Sequence, residues 1–178
     1  ANQDQAAAAA AYHQEAREIF TDLDDRAGLA ETLDLLGMAR LLNGDLAGGA
    51  DASQEAVAHF QAIGDRHGLV GAIIGSGPPG CVFELNTMVG PNTLPEALRT
   101  LEKALDLARE LGWRSGEAFA LVLMGESYAA AGDFGRGLDA LTESLTIAED
   151  IDHPQWIAQA CFGLGGLYAD LLTWPEAI

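Results

Sequence analysis

Apolar residues recur along this chain at helical spacing, in eight stretches separated by short polar segments. Within each stretch Leu, Ala, Ile or Met return every three or four positions, which is typical of amphipathic helices. No run of β-branched residues indicates a strand. The pattern predicts an all-α fold, with helices over residues 3–21, 26–43, 46–63, 66–76, 94–111, 115–131, 134–149 and 155–172. A further helix is expected to begin at Pro175.

The segments that separate the helices are themselves repeated. Residues 24–28 read Asp-Asp-Arg-Ala-Gly, and 40 residues later residues 64–68 read Gly-Asp-Arg-His-Gly. A third version, Gly-Trp-Arg-Ser-Gly, occupies residues 112–116, and a weaker copy occupies residues 152–156. Self-similarity at this period indicates repeated helix pairs that bury their apolar faces against one another.

A second signature lies inside the first helix of each regular unit, where two large residues precede a glycine. A glycine in mid-helix costs about 1 kcal/mol relative to Ala. Its return at one phase therefore predicts the close approach of a neighbouring helix, and it predicts that the leading large residue, Cys161 included, lies in the core. The three copies are Leu33-x-x-Leu36-Gly37, Leu121-x-x-Met124-Gly125-x-x-Tyr128 and Cys161-x-x-Leu164-Gly165-x-x-Tyr168.

A tight turn joins the two helices of a pair. Gly44 and Gly132 are expected to end the first helix, while Asp45 and Asp133 are expected to cap the second. The chain is therefore predicted to be one repeat domain and a fragment of a longer protein. Its predicted units are residues 1–25 (partial), 26–65, 66–113, 114–153 and 154–178 (partial).

The second complete unit breaks the pattern between residues 77 and 93. Pro78 and Pro79 cannot lie in a regular helix interior, because proline removes a donor and clashes with the preceding turn. Two interpretations remain open. The segment is either a loop insertion that costs little entropy, or a ligand or partner site that includes Pro78, Pro79, Phe83 and Met88.

These glycine, tyrosine and Gly-Asp positions resemble the tetratricopeptide repeat family. The 40-residue period and the Gly-Asp-Arg-x-Gly linker are similar to repeats in large bacterial signal-transduction ATPases and helix-turn-helix transcriptional regulators. The resemblance implies a right-handed superhelical solenoid of antiparallel helix pairs with a scaffold or sensor role. The chain departs from the family pattern at Arg40, which replaces the tyrosine, and in the second unit, which lacks Leu-Gly.

In that family the first helix of each pair lines a concave groove. Transferred to this chain, the resemblance implies a partner-binding set on three units. The alternative is that the two aromatic residues of the set pack in the core and its first two acids are merely solvated. The set is Glu31, Asp34, Met38, Phe119, Val122, Glu126, Gln159 and Phe162.

The net charge of −18, from 27 acidic and 9 basic residues, limits the classes of partner that the chain can bind. A surface this negative repels nucleic-acid phosphates and anionic membranes, and it attracts a basic or amphipathic protein segment; alternatively, the acids simply keep the repeat soluble. No membrane span, signal peptide, metal-ligand spacing or catalytic motif is present, so no cofactor and no enzymatic activity are predicted. A cytoplasmic location follows from these expectations.

The leading function is thus a protein-interaction scaffold or regulatory arm of a larger bacterial signalling or transcription regulator. One alternative is a small-molecule effector sensor that uses residues 77–93. Another is self-association through the terminal repeats, to which an uncapped apolar end near Pro175 would contribute.

Overall fold

A computed structural model of the chain describes residues 2–76 and 93–173, and these residues form eight helices and no strand. Each of these eight helices was predicted from the sequence and is confirmed, with bounds that differ by at most one residue at either end. The further helix expected to begin at Pro175 lies outside the described residues. The helices are α1 (Asn2–Asp22), α2 (Arg26–Leu42), α3 (Leu46–Ile63), α4 (Arg66–Ser76), α5 (Leu94–Leu111), α6 (Arg114–Ala130), α7 (Phe134–Asp150) and α8 (Pro154–Thr173). Within the described ranges no helix has both the length and the apolar content needed to cross a membrane.

The helices group into two compact units, Ala1–Thr93 and Leu94–Ile178. In the first unit each helix contacts the next, and α2 also contacts α4. The second unit repeats this order with α5 to α8, and α6 contacts α8. Helices α2 and α6 have the same length and are offset by 88 residues. Positions 88 residues apart can therefore be compared as equivalent.

The predicted turns between paired helices are confirmed. Gly44 and Gly132 take the left-handed conformation, with φ of 86° and 78°, which other residues adopt only with strain. The Asp45 carboxylate accepts the backbone N–H of Gly48 at 2.9 Å, and Asp133 accepts that of the equivalent Arg136 at 3.2 Å. Each aspartate thus satisfies a helix donor that would otherwise lack a partner.

Paired glycines bring the two helices of a pair into backbone contact. A Cβ atom added to Gly49 would lie 3.0 Å from the Gly37 carbonyl oxygen and 3.3 Å from the Leu41 nitrogen. A Cβ atom on Gly137 would likewise lie 3.1 Å from the Gly125 carbonyl oxygen. The close approach that the mid-helix glycines predicted is therefore present in both units.

The leading large residue of the glycine motif is buried in two of its three copies. Leu33 is fully buried in a cluster with Phe60 of α3 and Ala72 of α4, and Leu121 is also buried. Cys161 is exposed, so the prediction that it lies in the core is wrong. The reason is positional: Leu33 is covered by the two helices that follow α2, whereas no described helix follows α8.

An aromatic ring covers the first turn of α2, α4 and α6 at a glycine. The ring of Phe20 packs on Gly28, and the ring of Phe60 packs on Gly68 40 residues later. In the second unit Ala108 stands where the first unit has Phe20, and the ring at Gly116 comes from Trp113 of the linker instead. The space above the glycine is thus filled by a ring in each case, but in the second unit the ring comes from the linker rather than from the preceding helix.

Arg40 stands where the repeat family has a tyrosine, and here too the two units place the same chemical group from different positions. Its guanidinium donates to the Gly48 carbonyl at 3.1 Å and lies 4.0 Å from Asp45. In the second unit Tyr128 occupies the equivalent of Arg40, and a guanidinium reaches this corner from Arg136, which stacks over the tyrosine ring at 4.6 Å. Both units thus place an arginine beside the aspartate that caps the second helix.

The glycine motif gives a matched pair of substitutions. In Gly125→Ala the new methyl group would approach Leu141 Cγ to 2.6 Å and the Gly137 carbonyl to 3.1 Å, so the helices must separate. We expect a loss of about 1–3 kcal/mol in the free energy of unfolding. In Gly165→Ala no described atom lies within 4 Å of the new methyl group. Helix propensity should then stabilise the chain by up to about 1 kcal/mol.

Urea denaturation of both variants measures the two effects side by side. Equal changes in the two free energies would contradict the assignment of Gly125 to a helix contact.

Candidate partner-binding site

One side of α2 presents two acids and two large apolar side chains to solvent. Glu31, Asp34, Leu35 and Met38 follow the spacing i, i+3, i+4, i+7, which places them on one face of a helix. Leu35 is 53% and Met38 42% exposed, Glu31 is exposed and Asp34 is half-buried. We call these four residues the α2 stripe. The opposite side of α2 carries Leu33 and packs into the core.

The equivalent side of α6 is mostly buried. Val122, which stands 88 residues after Asp34, is fully buried, and Leu123 and Glu126 are only 7% and 9% exposed. Phe119, the equivalent of Glu31, is half-buried. One helical face is therefore open in the first unit and closed in the second.

Side chains of α8 account for part of this closure. The Trp156 ring stacks on Phe119 with 4.4 Å between the ring centroids, and its Nε1 donates to the Ser115 hydroxyl at 2.8 Å. One turn further along, the amide of Gln159 donates to Glu126 Oε1 at 3.3 Å. These contacts seal the face of α6 against α8.

In the first unit α4 offers nothing comparable. At the positions equivalent to Trp156 and Gln159 it carries Gly68 and Gly71. A Cβ atom on Gly71 would have a single described neighbour within 4 Å, the Asp34 Oδ2 atom at 3.8 Å. Two glycines on α4 thus leave the α2 stripe uncovered.

The Asp34 carboxyl lies on this open face without a hydrogen-bond or ion-pair partner among the described residues. Burial raises its pKa from 3.8 to about 6. Desolvation disfavours the charged form, and a cation placed beside the carboxylate would offset that cost. The charged form of Asp34 has no such counter-ion among the described residues.

The Glu126 carboxyl is more strongly perturbed. Burial raises its pKa from 4.5 to about 8, against the opposing effect of the hydrogen bond from Gln159. Its Oε2 atom is buried and finds no hydrogen-bond donor or acceptor among the described residues. A carboxyl with this pKa is mostly protonated at neutral pH, so Glu126 adds little negative charge to the surface.

The residues that the sequence assigned to a groove fall into three structural settings. Glu31, Asp34 and Met38 lie together on the α2 stripe. Phe119, Glu126 and Gln159 take part in the contacts between α6 and α8 and are buried or half-buried. Val122 of α6 is fully buried and inaccessible to any partner in this conformation. Phe162 is 56% exposed on α8. Pro78, Pro79, Phe83 and Met88 lie outside the described residues.

Leu35 is the one member of the α2 stripe that sequence reasoning left out. The family positions transferred to this chain skip it, although it follows Glu31 by four residues and precedes Met38 by three. The signal that would have found it is the plain helical spacing of residues 31, 34, 35 and 38.

No protein-family model matches the chain, and a search of curated proteins finds no significant match. Among the residues that the structure describes, no group of three or more His, Cys, Asp or Glu side chains is arranged to hold a metal ion.

The raised pKa of Glu126 predicts a pH-dependent stability. The folded pKa of about 8 exceeds the ordinary glutamate value of 4.5, so between these two pH values the folded state keeps its proton while the unfolded state loses it. The contribution to stability is complete below about pH 4.5 and declines as pH rises to about 8. The total decline is up to about 4 kcal/mol. Glu126→Gln should abolish it, making the variant more stable than the parent at pH 8.

Urea denaturation at pH 5 and pH 8 measures this difference. Glu102→Gln, at an exposed position of α5, is the control and should follow the parent protein. Parallel pH profiles for the parent and Glu126→Gln would contradict the neutral, buried carboxyl.

Proposed function

We propose that this chain is a tetratricopeptide-like solenoid that binds a basic, amphipathic helical segment of another protein along the α2 stripe. One observation carries the proposal: the face of α2 that bears Leu35 and Met38 is open, while the equivalent face of α6 is closed by its own neighbour. Contiguous exposed apolar side chains rimmed by charge are typical of interaction sites.

The spacing of the stripe favours a helical ligand. A helix laid along α2 would place apolar side chains at i and i+3 or i+4 against Leu35 and Met38. Lysine or arginine residues one turn away on that helix would meet Glu31 and Asp34. The net charge of −18 attracts such a segment over a longer range, which raises the association rate more than the final affinity.

The wider role belongs to the same proposal. The repeat pattern is similar to repeats of bacterial signalling ATPases and transcription regulators, where it implies a regulatory arm or scaffold. A cytoplasmic domain that holds a basic segment of a partner, or of the same regulator, fits that setting. The support is the helix-pair architecture together with the acidic, partly apolar α2 stripe.

The test uses defined helical peptides rather than an unknown partner. The first peptide presents Leu at i and i+4 with Lys on either side, and the second replaces every Lys by Glu. We expect the Lys peptide to bind and the Glu peptide to be rejected. Met38→Ala should weaken the binding of the Lys peptide about fivefold, since a truncated apolar contact at an interface typically costs about 1 kcal/mol. Fluorescence anisotropy of labelled peptide gives both affinities.

The pH dependence of binding isolates Asp34. With the peptide lysines charged throughout, affinity should rise as pH increases through about 6, because Asp34 ionises there. Asp34→Asn should remove this rise.

Two matched variants control for general effects. Ile63→Ala removes an apolar side chain that is 39% exposed elsewhere in the first unit, and Glu102→Gln neutralises an exposed acid of the second unit. Both should bind like the parent protein. Binding of the Lys peptide that Met38→Ala and Asp34→Asn leave unchanged would exclude the α2 stripe as the site.

A further inference from the structure

A cleft of about 380 Å³ opens in the first unit, away from the α2 stripe, where the end of α1, the start of α2 and the last turns of α3 meet. Phe20 and Leu29 give it an apolar lining, and Ala62 leaves space on the α3 side. The exposed side chains of Arg26 and of the linker acids Asp24 and Asp25 stand at its rim. Thr21 and the half-buried His59 also line it. Its size is that of a small-molecule pocket.

In the equivalent corner of the second unit the arginine forms ion pairs. Arg114, which corresponds to Arg26, contacts the Glu117 carboxylate at 2.9 Å and the Asp150 carboxylate at 3.8 Å. The Glu117 side chain is only 7% exposed, so this pair brings a carboxylate into the interior beside the guanidinium. In the second unit this corner of the repeat therefore contains carboxylates paired with the arginine.

In the first unit the arginine is kept and both acids are gone. Leu29 stands at the place of Glu117, and Ala62 stands at the place of Asp150. No described residue forms an ion pair or a hydrogen bond with the Arg26 side chain. At two other corners of the repeat, those of Trp113 and Arg40, a side chain from a neighbouring position replaces the one that is missing. Here no compensation occurs, and a cleft remains.

We propose that this cleft binds a free α-amino acid with an apolar side chain. The carboxylate of the ligand pairs with Arg26, as the Glu117 carboxylate pairs with Arg114. The apolar side chain lies against Phe20 and Leu29. The ammonium group is held by the carboxylates of Asp24 and Asp25.

The charges at the rim select a zwitterion over a simple anion. Asp25 uses Oδ1 to accept the backbone N–H groups of Ala27 and Gly28 at 3.1 Å, which leaves Oδ2 for a ligand. With two acids beside one arginine and a net charge of −18, a bare carboxylate ligand would be repelled. An ammonium group on the same ligand offsets that repulsion. This site uses other residues and another class of ligand than the α2 stripe.

Isothermal titration of the whole chain tests the ligand class. The probes are L-leucine and L-phenylalanine, with 4-methylpentanoate as the analogue of leucine without its amine and 3-methylbutylamine as the analogue without its carboxylate. We expect at least one amino acid to bind and both analogues to bind at least about tenfold more weakly, since each lacks one charge-assisted contact. N-acetyl-leucine and leucinamide, which mimic a residue inside a peptide, should also bind weakly.

Variants locate the site. Arg26→Gln changes an exposed side chain, so it should fold, and it should weaken amino-acid binding about tenfold. Arg99→Gln, at an exposed position of α5, is the control and should bind like the parent. The double variant Leu29→Glu with Ala62→Asp rebuilds the ion pairs of the second unit and should abolish binding. Amide chemical shifts of Ala58 and Ala62 should move on titration of the parent protein.

Three results of these experiments would contradict the proposal. The absence of saturable binding by both amino acids would overturn the proposal, and so would equal affinities for the parent and Arg26→Gln. An analogue that binds as tightly as leucine would show that the cleft does not recognise a zwitterion.

Discussion

The contact between paired glycines is the constraint on which each unit depends. Gly37 meets Gly49, and Gly125 meets Gly137, so closely that an added Cβ would lie about 3.0–3.1 Å from a carbonyl oxygen of the facing helix. Backbones at this distance fix the separation and register of the two helices, because no side chain can be inserted between them. Every other packing choice must fit that spacing, which explains why glycines that weaken an isolated helix recur at one phase.

Around this helix contact the two units use different residues to supply the same chemical group. A ring covers the start of α2 from Phe20 and the start of α6 from Trp113, and a guanidinium reaches the capping aspartate from Arg40 in one unit and from Arg136 in the other. At these equivalent positions both units keep the same filled volume or the same charge, because a void or an unpaired group there would cost stability. Among the described residues, the α2 stripe and the cleft beside Arg26 are two places where the units differ without replacement, and there we locate function.

The sequence was sufficient for the helices, for the tight turns between them and for part of the site. Helix bounds followed from apolar periodicity, and the tight turns followed from Gly44 and Asp45, because these signals are local. The positions of α2 that face solvent were found in part through family spacing. Val122 and Glu126 were assigned to an open groove because their burial depends on partners more than 30 residues away. The Trp156 ring and the Gln159 amide close that face in the second unit, whereas Gly68 and Gly71 leave it open in the first. The exposure of Cys161 escaped prediction for a similar reason, since a motif position does not specify which helix covers it.

The central claim is that equivalent faces of α2 and α6 differ in accessibility. Native-state thiol labelling tests it directly, with Met38→Cys and Val122→Cys introduced separately into a chain in which Cys81 and Cys161 are replaced by serine. The account predicts that the thiol at position 38 reacts at nearly the rate of a free thiol. The thiol at position 122 should react at least about 100-fold more slowly, because it must wait for local unfolding. Equal rates at the two positions would contradict the account.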